Sequence, residues 1–336
     1  MPSDAPIEFA HLGEVLALAS PICWSFAVLL FRKTGESIPP ITLNLAKNAL
    51  VTPLFFLTFF LAGSVSPAHV DWSDYALLLG SGVLGVAVAD LFFFVCLNRI
   101  GASRQAIVNT SYSPIIILFS VVFLGERLTL FQYSGVALIL GAVLSVGWPE
   151  GGIVKKPIEH LVSGVLFGIA ASLTQAVSIV MIKPFLSDWP LLWMTSWRLM
   201  GGLLASLVVW ASLNKQRRSF GKLWERRIWK FMLPGIFLGS FCSLLLWMGG
   251  FKYADASIAS ALNQTATLFT FLLAVVVLKE PLTTRGMLGL AMGLLGGGDG
   301  HFSRPAAWLL ADRSHLPHGL DSGNSKHLLN RLHATP

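Results

Sequence analysis

Ten stretches of almost unbroken apolar sequence follow one another along this chain, and they leave it few folds to choose from. They lie at roughly 14–31, 41–62, 75–97, 105–124, 131–148, 161–182, 191–213, 231–250, 256–278 and 286–298. Most are long enough to cross a bilayer's hydrocarbon core, about 30 Å deep, as a helix. No water is present there to satisfy a bare backbone, so only helices and closed barrels span it. The runs are continuously apolar and do not alternate every second residue, which selects helices. Short turns marked by Pro39-Pro40, Gly63 to Pro67, Pro149 to Gly152 and Pro190 separate them. The expected fold is an all-α polytopic membrane protein of about ten transmembrane helices.

Composition closes the other routes. Only 12% of residues are charged, against about 25% in an ordinary soluble domain. With a mean hydropathy of +0.69, a soluble enzyme, a disordered chain and a disulfide scaffold are all excluded. The net charge of +7 does not point to a nucleic-acid partner, because the basic residues sit in short loops between apolar segments. Cys23, Cys96 and Cys242 all fall inside apolar segments at spacings that suit neither zinc nor a disulfide framework, so they read as core residues. The first fourteen residues contain no Lys or Arg, so the first apolar segment is expected to stay as a span, not to be cleaved as a signal peptide.

The chain also repeats itself. A shift of 154 superposes residues 84–135 on 238–289 without a gap, with 14 identities in 52 positions. The polar matches carry the information: Ser103 with Ser257, Asn109 with Asn263, Glu126 with Glu280, Thr129 with Thr283. A shift of 150 brings Lys33 onto Lys183 and Pro40 onto Pro190. Two homologous halves of five helices explain this, and an odd helix count forces the second copy to enter the membrane inverted. Inverted repeats are a feature of secondary transporters, with the site near the midplane where the halves meet. Ser81, Gly85 and Ala89 correspond to Gly235, Gly239 and Ser243. Small residues every fourth position let helices approach closely.

Each half closes its fourth helix with Leu-x-Glu-x-Leu-Thr, at Leu124 to Thr129 and Leu278 to Thr283. These corners, with the stretches LGEVLALASPICWSFAVLLFRK, NRIGASRQAIVNTSYSP and FKYADASIASALNQTATLF, resemble the EamA-type members of the drug/metabolite transporter superfamily. The resemblance covers roughly residues 12–295. It implies one repeat over 12–148, a second over 160–298, and a secondary transporter of a small metabolite or drug-like solute. That transporter would be an exporter in a bacterial inner membrane, driven by an ion or solute gradient, working alone or as a homodimer. The alternative is a non-transporting membrane scaffold or assembly partner. The chain departs from the pattern at its end, where the tenth apolar run is short and residues 299–336 form an atypical polar tail with five of the eight histidines. Their irregular spacing argues against a metal site.

Ionisable groups inside spans are expensive and mark candidate sites. Lys47, Asp90 and Arg198 are the clear cases. Lys47 and Arg198 fall at nearly equivalent places in the two halves, which would suit an anionic or zwitterionic substrate. Alternatively, each satisfies helix-end carbonyls or snorkels to the interface. Asp90 has no counterpart, since Leu244 matches it, and it either carries a proton or pairs with Lys47. Asn109, Tyr112, Asn263 and Gln264 complete the substrate-pathway candidates, with helix-to-helix bonding as the alternative role. Glu126, Thr129, Glu280 and Thr283 read as structural corners in which the threonines cap the next helix. No His-Glu-x-x-His, Gly-x-Ser-x-Gly or phosphate-loop motif occurs, so neither an enzyme, a bound cofactor, a metal nor ATP-driven transport by this chain is expected. Odd-numbered loops hold 15 Lys and Arg against three in the even ones. The positive-inside rule then puts the odd loops in the cytoplasm and the N-terminus outside, whereas the family resemblance implies cytoplasmic termini.

Overall fold

The computed structural model describes residues 12–67, 69–112, 114–115, 130–147, 158–182, 189–213, 218–253, 256–281 and 283–298. Helix falls on the described part of all ten apolar stretches. The elements are α1 (Leu12–Gly35), α2 (Pro40–Leu61), α3 (Trp72–Ile100), α4 (Ala102–Asn109), α5 (Leu130–Gly147), α6 (Ile158–Ile182) and α7 (Leu191–Ser212). A 3₁₀ turn at Arg218–Trp224 leads into α8, which runs through Arg226–Gly235, Ile236–Cys242 and Ser243–Tyr253. The last two are α9 (Ala256–Val277) and α10 (Thr284–Gly298). Six of these helices are long and apolar enough to cross a membrane, namely α1, α2, α3, α6, α7 and α8. The tail at 299–336, Glu126 and Thr129 lie outside the described residues.

The helix boundaries follow from local chemistry. Pro40 opens α2, where its missing N–H would have no partner in any case. Asp71 and Asp74 form a capping box at the start of α3. Gly101, at φ +89°, ends α3 and turns the chain into α4, a conformation that glycine adopts without strain. Thr283 Oγ1 accepts from the Gly286 N–H at 3.1 Å and so caps α10. Asn109, expected near the start of its helix, is instead the last residue of α4, because α4 begins at Ala102 and turns at Thr110-Ser111.

The two repeats assemble about a pseudo-two-fold axis, legible in which helices touch. Helix α2 packs on its counterpart α7, α4 on α9, and α5 on α10. Off the axis, α3 packs on α6 and α8 on α1, each joint joining one repeat to the other. The small-residue stripes line those joints. On α8, a Cβ added at Gly239 would stand 2.6 Å from Ala27 Cβ of α1; on α3, one added at Gly85 would stand 2.3 Å from Ser178 Oγ of α6. Between them lies an aromatic-rich core in which Phe31 meets Phe94 edge-on, and Trp24 packs on Phe93.

Both α3 and α8 contain a wide π-helical segment, at Val83–Ala89 and Ile236–Cys242. Such segments carry one residue more per turn and release carbonyls from the regular ladder. Side chains of α2 bond to carbonyls of the α3 segment. Asn44 Nδ2 donates to the Ala87 carbonyl at 2.8 Å, and Asn48 Nδ2 donates to that of Val86 at 3.5 Å.

Candidate functional site

Helix α3 carries two polar clusters on either side of its wide segment. Toward its C-terminal end, Lys47 Nζ of α2 donates to Asp90 Oδ2 at 2.6 Å, with the Lys47 side chain 5% exposed and that of Asp90 30%. An ammonium buried to that degree is tolerable only beside a counter-charge. The structure therefore makes Lys47 and Asp90 a neutral pair within the first repeat. Lys47 does not act as a free cation matched to Arg198.

Toward the N-terminal end of α3 lies the second cluster, joining three helices. Ser81 Oγ of α3 donates to the Ser178 carbonyl of α6 at 2.9 Å, and Ser178 Oγ donates back to the Ser81 carbonyl at 2.8 Å. Each hydroxyl has thereby spent its proton, so its lone pairs are left to accept. Arg198 of α7 uses them both. Its Nε donates to Ser81 Oγ and its Nη2 to Ser178 Oγ, each at 3.0 Å. Arg198 is 6% exposed, and among the described residues no carboxylate lies within salt-bridge distance of it.

Glycines permit this arrangement. A Cβ at Gly82 would strike the Arg198 carbonyl, and one at Gly201 would strike that of Leu79. Helices α3 and α7 thus meet backbone to backbone, the close approach small residues allow. Asn48 Nδ2 also donates to Ser206 Oγ of α7 at 2.9 Å, which ties α2 into the same seam. Its Oδ1 is buried without a partner.

Of the remaining candidates, Tyr112 is half-buried beside the turn that ends α4. Asn109 is exposed and Asn263 half-buried on α9, and neither bonds to Arg198. Gln264 lies on α9. The corner residue Glu280 does more than close its own half. Its carboxylate accepts from the Ala102 and Ser103 N–H groups at 2.8 and 2.9 Å and from Ser103 Oγ at 2.5 Å, so it caps the N-terminus of α4 in the opposite repeat. Reading the sequence missed Ser178, Asn44 and Asn48. A usable signal existed for the last two, since Asn44 and Asn48 are polar residues one helical turn apart in an apolar span. The three cysteines are free thiols, Cys96 buried and Cys23 and Cys242 half-buried.

Comparison with known proteins agrees with this architecture. The EamA-like transporter family matches the chain twice, over residues 11–148 and 162–297. Two proteins of Archaeoglobus fulgidus, each named an uncharacterized transporter, are similar at 26% and 24% identity over 287 and 286 residues. Both alignments cover 84% of this chain and 95% or 96% of the relative. A transporter of Bacillus subtilis named YvbV, also described as uncharacterized, is 27% identical over 135 residues, 40% of this chain and 44% of its own length. A solved crystal structure, 20% identical, superposes with a TM-score of 0.57 over 91% of this chain and 98% of its own, and it shares the fold.

Proposed function

The chain belongs to the EamA-like transporter family and is an integral membrane transporter, and on that premise we propose that it is a gradient-driven secondary transporter exporting a small metabolite or drug-like solute across a bacterial inner membrane. One observation carries the reading. Three charged side chains meet along the single helix α3: Lys47 pairs with Asp90 on one side of its wide segment, and Arg198 bonds to Ser81 on the other, where the two repeats join. A scaffold has no use for charges held deep in the membrane, since each costs several kcal/mol to desolvate. In a transporter they line the path at the point where the repeats rock against one another. On this reading Lys47, Asp90, Asn109, Tyr112, Arg198, Asn263 and Gln264 line it.

The α1–α2 and α7–α8 loops meet on one face, where Lys222 Nζ donates to the Ser37 carbonyl at 3.2 Å. Their basic residues support a cytoplasmic location for that face and an external N-terminus.

Comparing metabolites inside and outside cells that lack or overproduce the protein tests export. The expected result is a solute that accumulates inside the deletion strain and outside the overproducer. Unchanged profiles in both strains would favour the scaffold. Cysteine labelling of the 215–230 loop in intact cells tests the orientation, and ready labelling from outside reverses it.

A further inference from the structure

We propose that Arg198 is the docking point for a monoanionic carboxylate on the transported solute, held end-on by the guanidinium while Ser81 and Ser178 fix its orientation. This rests on the transport reading above and adds the substrate's charged group.

The argument starts from charge. Among the described residues buried within the spans, Lys47 and Asp90 cancel at 2.6 Å. Arg198, at 6% exposure, leaves these three groups with one net positive charge. Two neutral hydroxyls do not compensate a full charge removed from water. One negative charge makes the seam neutral, whereas a phosphate dianion would leave it negative.

Geometry then selects the anion's shape. Nε and one N–H of Nη2 are spent on Ser81 and Ser178. Both N–H groups of Nη1 and the second of Nη2 have no hydrogen-bond partner among the described residues. The open edge is therefore the Nη1–Nη2 end of the fork, which presents two parallel donors, the spacing that a carboxylate's two oxygens match. Gly85 makes room for the serine side of the fork, since an added Cβ would stand 2.3 Å from Ser178 Oγ and 3.3 Å from Nη2. The serines cannot swing away from the guanidinium without breaking the bonds that tie α3 to α6. They act as positioning residues, and the fork is pre-set before any solute arrives.

The test uses the full chain purified in lipid nanodiscs, with sodium benzoate as probe, benzamide as its neutral isostere, and sodium chloride and inorganic phosphate as ionic controls. Binding is read from the rise in unfolding temperature with ligand concentration. Benzoate is expected to give a saturable rise that benzamide, chloride and phosphate do not. Arg198→Gln should weaken the apparent affinity at least tenfold. Arg198→Lys keeps the charge but loses the fork and should weaken it several-fold, as should Ser178→Ala. These two serve if Arg198→Gln does not fold.

An equal benzoate response in the arginine variants, an equal response to benzamide or phosphate, or no saturable response in the parent protein overturns the proposal. Benzoate uptake into proteoliposomes separates the two readings. Binding that depends on Arg198 without any uptake overturns transport and leaves the site standing. Uptake at parental rate by Arg198→Gln overturns the site and leaves transport standing.

Discussion

The joint between α3 and α6 and the joint between α8 and α1 are one construction made twice, yet only the first holds a charge. Each crosses from one repeat to the other, follows a stripe of small residues, and carries a reciprocal serine clamp. At the second joint, Ser20 Oγ donates to the Ser243 carbonyl at 2.9 Å and Ser243 Oγ donates back to that of Ser20 at 3.2 Å. The clamps stand at opposite ends of their stripes, Ser81 at the first small position of α3 and Ser243 at the last of α8. Arg198 reaches the clamp on α3, whereas the α8 joint is packed by Ala27, Phe31 and Leu30 against glycine. The duplicated parts build the scaffold, and the departures from duplication supply the chemistry. Asp90 against Leu244 makes the same point.

The largest test of that contrast lies at the pair without a counterpart. Asp90→Ala strands a buried ammonium and should cost about 3–5 kcal/mol of stability, read as loss of folded protein in detergent. Adding Lys47→Met should restore most of it, and a double variant no better than the single one would dissociate the two residues. Asp90→Asn separates the roles further: if it folds and transports without a proton gradient dependence, Asp90 moves the proton; if transport keeps its full pH dependence, the pair is structural.

Next in size is the link that does not lie on either joint. Glu280→Ala removes a carboxylate accepting three hydrogen bonds at the start of α4 and should cost about 1–3 kcal/mol, measured as a lower unfolding temperature. Ser103→Ala removes one of the three donors and should cost less.

The smallest effects sharpen the contrast most. Ser20→Ala and Ser81→Ala each remove one clamp, worth about 0.6 kcal/mol and at most about 1.7 within a membrane. Ser81→Ala should cost more than Ser20→Ala, because it also leaves the Arg198 Nε–H without its acceptor. Only Ser81→Ala should also lower benzoate affinity, because only that hydroxyl holds a guanidinium. Equal affinity losses at both positions would erase the distinction between the joints.

The sequence made the scaffold readable because duplication marks it twice. GERLT and KEPLT, the matched asparagines and the odd helix count led to two inverted five-helix repeats, and helix occurs among the described residues of each apolar stretch. Lys47 with Asp90 was half legible, since two opposite charges in neighbouring spans have few other partners. The Arg198 cluster was not, for a physical reason. Ser178 lies in no motif, and its meeting with Ser81 depends on how two repeats dock, which no local pattern encodes. Equally silent were the wide segments of α3 and α8, because VLGVAVA and IFLGSFC read as ordinary apolar helix. Glu280 was read as a corner of its own half, and its reach to Ala102 and Ser103 crosses 178 and 177 positions of sequence.

The wide segment of α3 sets an angle. Each residue of a regular helix advances by about 100°, so Ser81 and Asp90, nine positions apart, would face nearly opposite ways on an unbroken helix. One surplus residue absorbed between them at Val83–Ala89 takes about 100° out of that separation. This lets a single helix turn one polar group toward α6 and α7 and the other toward α2. The segment is thus a phase shifter: tightening it to a regular helix rotates Asp90 off Lys47 while Ser81 stays clamped to Ser178. With a matching segment in α8, each repeat carries its own dial, and a quarter-turn on either changes which polar groups face the seam without lengthening the helix by more than a residue's rise.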